Sequence, residues 1–328
     1  MIDRTEQEIM QYWQGDVDNP LVSICTITYN HEMYIAEAIE SFLSQETNFA
    51  FEIIIGEDCG MDGTADIIRK YAKQYPTIIK AIIRKNNVGI IPNFTDIMMQ
   101  AKGKYIALCE GDDYWIDVKK LQIQVDFLEL NENFSGYGHQ ANVIGSQIND
   151  QMTSYRENIP NILDRKYFLR DVPFQTATFV FRAKILKEHP LPNDIVSGDK
   201  ALMLLISTYG LIKYNSQPMS VYRKHLGGVS GRVTMDMMKK DLNIIPWMMS
   251  IDPKFPKFQY LSYVYETIML FPVNLTPIFF LKYFTLYIFY SFSYFPKNIN
   301  NIFKMLYRLW KAMKKRIDSK IFHRIKRF

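Results

Sequence analysis

Hydrophobic positions divide the first third of the chain into short continuous runs and spaced repeats. Leu21 to Thr28 is an apolar, β-branched run that starts just after Pro20, the composition of a buried strand. Ile35, Ile39, Phe42 and Leu43 then recur at helical spacing up to Ser44. The same alternation repeats downstream. Phe51 to Ile55 reads as a second strand, and after the turn Gly60-Met61-Asp62-Gly63-Thr64 the residues Ile67, Ile68, Tyr71, Ala72 and Tyr75 form a second helical stripe. Ile78 to Ile83 is a third strand, Phe94, Ile97 and Met98 mark a third helix stopped by Gly103, and Tyr105 to Leu108 is a fourth strand. Strands alternating with helices build a mostly parallel sheet with helices on its faces, so the fold class expected is α/β.

In open sheets of this kind ligands bind beyond the carboxyl ends of the strands. The residues just past those ends are Tyr29-Asn30-His31, Glu57-Asp58, Arg84 to Asn87, and Glu110-Gly111-Asp112-Asp113. The last group is the most demanding, because it sets three carboxylates within four residues. Each carboxylate raises the pKa of its neighbours unless positive charge intervenes. A hard divalent cation, Mn²⁺ or Mg²⁺, would resolve the conflict and keep positions open for phosphate oxygens. The plainer reading is an acidic surface turn before a helix capped by Asp117. Neither GxGxxG nor GxxxxGK[ST] occurs, so phosphate here would be held by metal and side chains rather than by a glycine-rich loop.

Composition narrows the class. With 328 residues, 48% hydrophobic and 22% charged, the chain is not disordered and has room for one large α/β domain with an appendage, or for two domains. Three scattered cysteines, Cys25, Cys59 and Cys109, suit neither a disulfide framework nor a zinc site and point to a reducing compartment. The N-terminus has no apolar signal region, so a cytoplasmic location is expected.

Charge is unevenly placed. Residues 297–328 hold eleven Lys and Arg against Asp318 alone, a local charge of +10, and since the whole chain is +5 the remainder is −5. Leu275 to Phe295 precedes this tail with one charge, Lys282, and ten Phe or Tyr in 21 residues. Aromatics favour the membrane interface, and Pro277 and the serines interrupt the run, so a segment lying in one leaflet is expected rather than a spanning helix. Leu306, Leu309, Trp310, Met313, Ile317, Ile321, Ile325 and Phe328 then advance in steps of three or four opposite Lys and Arg, the pattern of a helix lying on an anionic membrane. A nucleic-acid partner would leave the aromatic stretch unexplained. The expected location is peripheral, on the inner face of the cell membrane.

The succession Val22 to Asn30, Gly56 to Thr64, Asn87-Val88-Gly89 and Glu110-Gly111-Asp112-Asp113 resembles the nucleotide-binding half of family 2 glycosyltransferases of the GT-A fold. Thr176 to Arg182, Ser197-Gly198-Asp199 and Val221-Tyr222-Arg223-Lys224-His225 resemble the acceptor half of the same family, in the same order. The resemblance implies a GT-A domain over residues 20–230, a helical lead-in over 1–19 and a helical, membrane-associating extension over 231–328. It implies transfer of a sugar, with inversion, from a nucleoside diphosphate sugar such as a UDP-sugar to an acceptor hydroxyl, with a lipid-linked glycan of surface polysaccharide synthesis as the acceptor suggested by the basic tail. By resemblance, Tyr29, Asp58, Arg84, Glu110 and Asp112 bind the nucleotide sugar, Asp112, Asp113 and His225 hold Mn²⁺ or Mg²⁺, and Asp199 is the catalytic base. A single positioned carboxylate suffices to take the proton from an attacking hydroxyl. The residues alone leave rivals open: strand-end packing for Tyr29, a turn cap for Asp58, a solvated charge for Arg84, the cap of a helix from Ala201 to Ser207 for Asp199, a structural role for His225, and either sugar stacking or core packing for Tyr114 and Trp115. Two other functions compete, a sugar-phosphate nucleotidyltransferase and a non-catalytic nucleotide-sugar binding protein. The first usually carries a glycine-rich basic loop where this chain has Tyr29-Asn30-His31-Glu32, and the intact Asp112, Asp113 and Asp199 argue against the second.

Overall fold

Each apolar run of the first third folds as its period requires. The computed structural model describes residues 4–15, 17–145, 152–170, 172–225, 227–228, 234–270, 277–292 and 307, and the chain divides into two compact units, Met1–Arg232 and Val233–Phe328. In the first unit a short helix α1 (Glu6–Met10) precedes β1 (Val22–Thr28), α2 (Ile35–Leu43), β2 (Phe51–Glu57), α3 (Thr64–Gln74), β3 (Ile79–Ile83), α4 (Ile90–Met99) and β4 (Tyr105–Leu108). β1 runs parallel to both β2 and β4, and β3 runs parallel to β2. Helices cover this parallel half. Ile24, Ile53, Ile55 and Ala107 from the strands share one core with Ile39 and Phe42 of α2 and Ile68 and Tyr71 of α3. Neither helix has a side-chain N-cap, so burial holds them in place, at about 1.5–3 kcal/mol for each fully buried Ile or Phe.

The chain continues through β5 (Tyr114–Trp115), α5 (Lys120–Leu130), β6 (Phe134–Gly145), β7 (Thr153–Ser154), β8 (Ile162–Leu163), α6 (Arg165–Phe168), a 3₁₀ turn at Thr176–Thr178, β9 (Val180–Arg182), α7 (Ala183–Glu188), α8 (Gly198–Tyr209) and β10 (Leu211–Lys224). The sheet order is β3-β2-β1-β4-β9-β6-β10-β5. β9 is antiparallel to both β4 and β6, which makes the sheet mixed beyond its parallel half. β10 runs parallel to β6 and pairs antiparallel with β5, so its last residues return to the acidic loop that follows β4. That return is what brings residues 223–225 to residues 110–113.

Several local expectations change. The helix expected from Ala201 starts at Gly198, with Ser197 as its N-cap, so Asp199 lies inside the first turn instead of capping it. Asp117 does not cap α5; its Oδ1 accepts from the Lys119 amide and its carbonyl from Lys120. The lead-in is part of the first unit. Ile9 is buried in the common core, and the Glu6 carboxylate accepts from the amides of Thr77 and Ile78.

The second unit contains α9 (Met235–Lys239), α10 (Ile244–Ile251), α11 (Lys257–Leu270) and α12 (Pro277–Phe292). Pro277 occupies the first position of α12, where its missing N–H costs nothing. The Tyr265 ring of α11 stacks on Tyr290 of α12 at 5.6 Å. On α12, Tyr283 and Tyr287 are buried while Leu281 and Phe289 are exposed. Among the described residues no helix is long and apolar enough to cross a membrane. The basic helix expected from Leu306 to Phe328 lies outside the described residues apart from Tyr307.

Candidate active site

The parallel strands β1, β2, β3 and β4 end on one edge, and each hands over to a polar loop. After β1, Asn30 adopts φ 55°, a left-handed conformation that Asn tolerates. The turn it makes is clasped to residues 61–64. Asn30 Oδ1 accepts from the Met61 amide at 2.8 Å, the His31 amide donates to Thr64 Oγ1 at 2.8 Å, and the Glu32 amide donates to Asp62 Oδ2 at 3.0 Å. Tyr29 stands at the head of this turn, exposed.

At the end of β2, Glu57 and Asp58 are both buried, and each carboxylate oxygen accepts from a backbone amide. Glu57 accepts from Cys59 and Gly60, and the two oxygens of Asp58 accept from Val88 at 2.8 Å and Gly89 at 2.9 Å. Asp58 thereby fixes the loop that leads into α4. Arg84, just beyond β3, donates from Nε to Asn93 Oδ1 at 2.8 Å and from Nη2 to Asp96 Oδ2 at 2.6 Å. Its guanidinium is committed to α4.

The loop after β4 is different. The Gly111 amide donates to the Ile27 carbonyl, and a Cβ on Gly111 would stand 2.8 Å from Thr28 Cβ, so only glycine lets the loop lie against β1. Glu110 is half-buried. One oxygen accepts from the Thr176 hydroxyl, and Oε2 has no hydrogen-bond partner among the described residues. Burial pushes its carboxyl up to about 7 against that hydroxyl, with the Asp112 and Asp199 charges adding to the rise. Asp113 is fully buried, accepts from the Arg223 amide at 2.8 Å, and is pushed well above the usual carboxylate range by burial and then by Asp112 and Glu110.

Asp112 faces two histidines. Its Oδ2 lies 2.9 Å from His225 Nε2 and 3.6 Å from His31 Nε2. Arg223 braces this corner. Its Nη1 donates to the Asp112 carbonyl at 2.8 Å, its Nη2 pairs with Glu37, and the guanidinium lies 4.3 Å from the Tyr114 ring centroid. His31, Asp112 and His225 each offer a ligand atom, all within 4.8 Å of one another. One carboxylate oxygen and two imidazole nitrogens form a donor set that fits a divalent first-row transition-metal ion, Mn²⁺ included. Burial pushes the His31 imidazole down, against the pull of Asp112, towards the neutral form that can act as a ligand.

Asp199, in the first turn of α8, is half-buried and its charge reaches Glu110. Gly198 packs on α4, where a Cβ would meet Ile91 Cδ1 at 2.6 Å.

A protein-family model described as Glycosyl transferase family 2 matches residues 23–189, just over half of the chain. The chain belongs to glycosyl transferase family 2. The fold is GT-A. Residues 1–349 of Staphylococcus aureus TarS, solved with UDP-GlcNAc, align at a TM-score of 0.56 and 17% identity over 89% of this chain and 79% of that one. An Escherichia coli relative, the UDP-Glc:alpha-D-GlcNAc-diphosphoundecaprenol beta-1,3-glucosyltransferase WfaP, is 30% identical over 67% of this chain and 84% of its own length. An uncharacterized protein of Mycobacterium tuberculosis is 35% identical over 214 residues, 63% of this chain. The match spans only 60% of that relative's length.

Within this family 2 fold, the residues expected at the site divide. Glu110, Asp112, Asp199 and His225 converge, whereas Asp113 turns to the Arg223 amide, outside the three ligand atoms, and Arg84 turns to α4. His31 takes the place at Asp112 that the resemblance gave to Asp113. Trp115 is core, not a sugar platform: its ring packs on Phe42 at 4.8 Å and its Nε1 donates to the Ala177 carbonyl. Tyr114 lies under Arg223. Two contributors were missed from sequence, His31 and Arg223. Both stood in motifs already singled out and next to strand ends, but nothing local distinguished them from their neighbours.

Proposed function

We propose that this family 2 glycosyltransferase moves a sugar, with inversion, from a UDP-sugar to a hydroxyl of a lipid-linked glycan in surface polysaccharide synthesis, working at the inner face of the cell membrane. One observation carries the reading: Glu110, half-buried with an oxygen that has no hydrogen-bond partner among the described residues, feels the charge of both Asp112, which faces two imidazoles, and Asp199, at the start of α8. The cation site and Asp199 therefore both lie within electrostatic reach of Glu110. When bound, the cation stabilises the negative charge that gathers on a departing nucleoside diphosphate.

The chain's own groups supply the rest. Asp199, half-buried and in the first turn of a helix, is the general base that takes the acceptor's proton. Asp112 and His225 hold the cation. Glu110 keeps an oxygen free for a hydroxyl of the donor, and the exposed Tyr29 ring offers a face to the base. Asp58 shapes the nucleotide side by latching Val88 and Gly89, and Arg84 supports α4 behind it. The UDP donor and lipid-linked acceptor are supported by what WfaP is named for, and the UDP donor also by the UDP-GlcNAc bound to TarS. The membrane location is supported by the +10 tail and by the exposed Leu281 and Phe289 of α12.

The test is nucleoside diphosphate release from a panel of nucleotide sugars with Mn²⁺ and undecaprenyl-linked acceptors. Wild type should turn over, and Asp199→Asn should be slower by about 10²–10⁴-fold, the usual worth of a positioned base. Equal rates would end the assignment of Asp199, and release of pyrophosphate instead would favour nucleotidyl transfer. Deleting residues 296–328 should shift the protein from membrane to soluble fractions; an unchanged distribution would remove the membrane claim.

A further inference from the structure

We infer that His31 is a third protein ligand of the cation site, and that the resulting two-imidazole, one-carboxylate set selects a transition-metal ion such as Mn²⁺ over Mg²⁺. The inference rests on the reading of residues 112 and 225 as a cation site and goes beyond it by assigning both a ligand and a metal preference.

Distances carry the first half. For ligand atoms about 2.1 Å from a common ion, neighbours lie about 3.0 Å apart at right angles and about 3.4 Å apart in a tetrahedron. Asp112 Oδ2 is 2.9 Å from His225 Nε2 and 3.6 Å from His31 Nε2, values that bracket those figures before any ion has drawn the groups in. All three ligand atoms come within 4.8 Å of one another, so closing the widest pair to about 4.2 Å, the span across an ion at about 2.1 Å, takes a shift of well under 1 Å.

The His31 ring is also held in place in advance. Its backbone amide donates to Thr64 Oγ1, whose own proton goes to Asp62 Oδ1 at 2.6 Å, and the adjacent Glu32 amide donates to Asp62 Oδ2. The ring packs edge-on to His225, centroids 6.1 Å apart, and to Tyr34 at 6.4 Å. Its Nδ1 is buried with no hydrogen-bond partner among the described residues. Nε2 is therefore the ring nitrogen with a polar group before it, Asp112 Oδ2 at 3.6 Å.

Chemistry carries the second half. Mg²⁺ strongly prefers oxygen ligands and near-ideal octahedral geometry, whereas first-row transition ions accept imidazole nitrogen more readily, Mn²⁺ least among them but still more than Mg²⁺. A site with two nitrogen donors and a single carboxylate loses Mg²⁺ affinity relative to the acidic set that the sequence suggested. Asp113, the missing carboxylate of that set, is occupied by the Arg223 amide.

The test is Mn²⁺ loading of the full chain followed by pulsed EPR, which counts directly coordinated imidazole nitrogens, with Mn²⁺ and Mg²⁺ affinities from competition titration. Wild type should show two imidazoles and His31→Gln one, with Mn²⁺ affinity falling by about tenfold or more. His31→Asp should narrow the preference for Mn²⁺ over Mg²⁺, because it restores an oxygen donor. A single coordinated imidazole in wild type overturns the inference, as does unchanged Mn²⁺ affinity in His31→Gln. The wild-type count stands even if a variant fails to fold. None of these readouts needs turnover, so failure here is distinct from failure of the transferase reading, which diphosphate release decides.

Discussion

Two acidic pairs end neighbouring regions of the same sheet edge, Glu57-Asp58 after β2 and Glu110 with Asp112 after β4, and they do opposite work. The first pair is spent on the protein: four backbone amides, from Cys59, Gly60, Val88 and Gly89, donate to its carboxylates. The second pair is left short. Glu110 Oε2 has no hydrogen-bond partner among the described residues, and the Asp112 carboxylate faces two imidazoles. Buried carboxylates that receive amide hydrogen bonds stabilise a fold, and crowded ones that do not destabilise it. The contrast separates a carboxylate pair that shapes the rim from one that is kept available for ligands.

The sharpest way to break this contrast is Asp112→Asn. It should lower diphosphate release by on the order of 10²–10³-fold, as expected when transition-state charge loses its counter-ion site. Thermal unfolding of the metal-free protein should stay put or rise, since Glu110 and Asp113 both lose a charge that raises their pKa. A large drop in melting temperature with activity retained would place Asp112 with the structural pair instead.

Asp58→Ala should behave in the reverse sense. It removes two part-buried hydrogen bonds from the Val88 and Gly89 amides to a carboxylate, worth about 1–2 kcal/mol each, so urea unfolding should show a loss of about 2–4 kcal/mol. The nucleotide affinity should fall as well, because the loop leading into α4 loses its latch. A stable variant that merely binds donor poorly would show that Asp58 acts on the nucleotide directly.

The sequence set Glu110 to Asp113 apart as a crowded cluster suited to a cation, but left Asp58 open between a turn cap and a nucleotide contact. What separates them is which amides approach, and Val88 and Gly89 come from thirty residues further along the chain than Asp58. The parallel half of the sheet was legible because β1, β2 and β4 are buried on both faces and so read as unbroken apolar runs. The other half was not. β6 reads Phe134-Ser135-Gly136-Tyr137-Gly138-His139, a poor strand by composition, yet its glycines are the space that the rings of Phe179 and Phe174 fill, each at 2.7 Å from where a Cβ would stand. β10 is equally hidden. Pro218 sits at an irregularity in its register with β6, where a missing amide is tolerated, and the strand's far end still delivers Arg223 and His225 to the site.

The smallest expected effect concerns the floor beneath the second pair. Lys120 is fully buried, its Nζ 4.0 Å from the Trp115 ring centroid and 2.8 Å from Gln124 Oε1, and Gln124 in turn donates to the carbonyls of Tyr137 and Thr178. Burial pushes its amine down to about 7, against the opposing pull of Cys109 and Asp117. An unfolded lysine keeps its proton up to about 10.4. Between those two values the unfolded chain therefore holds a proton that the folded one lacks, and stability from this group rises with pH across that window. Below pH 7 the buried ammonium is charged in both states and the full desolvation cost stands. Lys120→Met fills much of the same space without a titrating group, and its effect on Gln124 does not depend on pH. Urea titrations at pH 6 and pH 9 should show wild type gaining on the variant as pH rises, and parallel behaviour at the two values would mean that Lys120 stays charged beside Trp115. In that case the support under the acidic loop is a cation held on an aromatic face, and its stiffness would persist across the pH range in which the enzyme works.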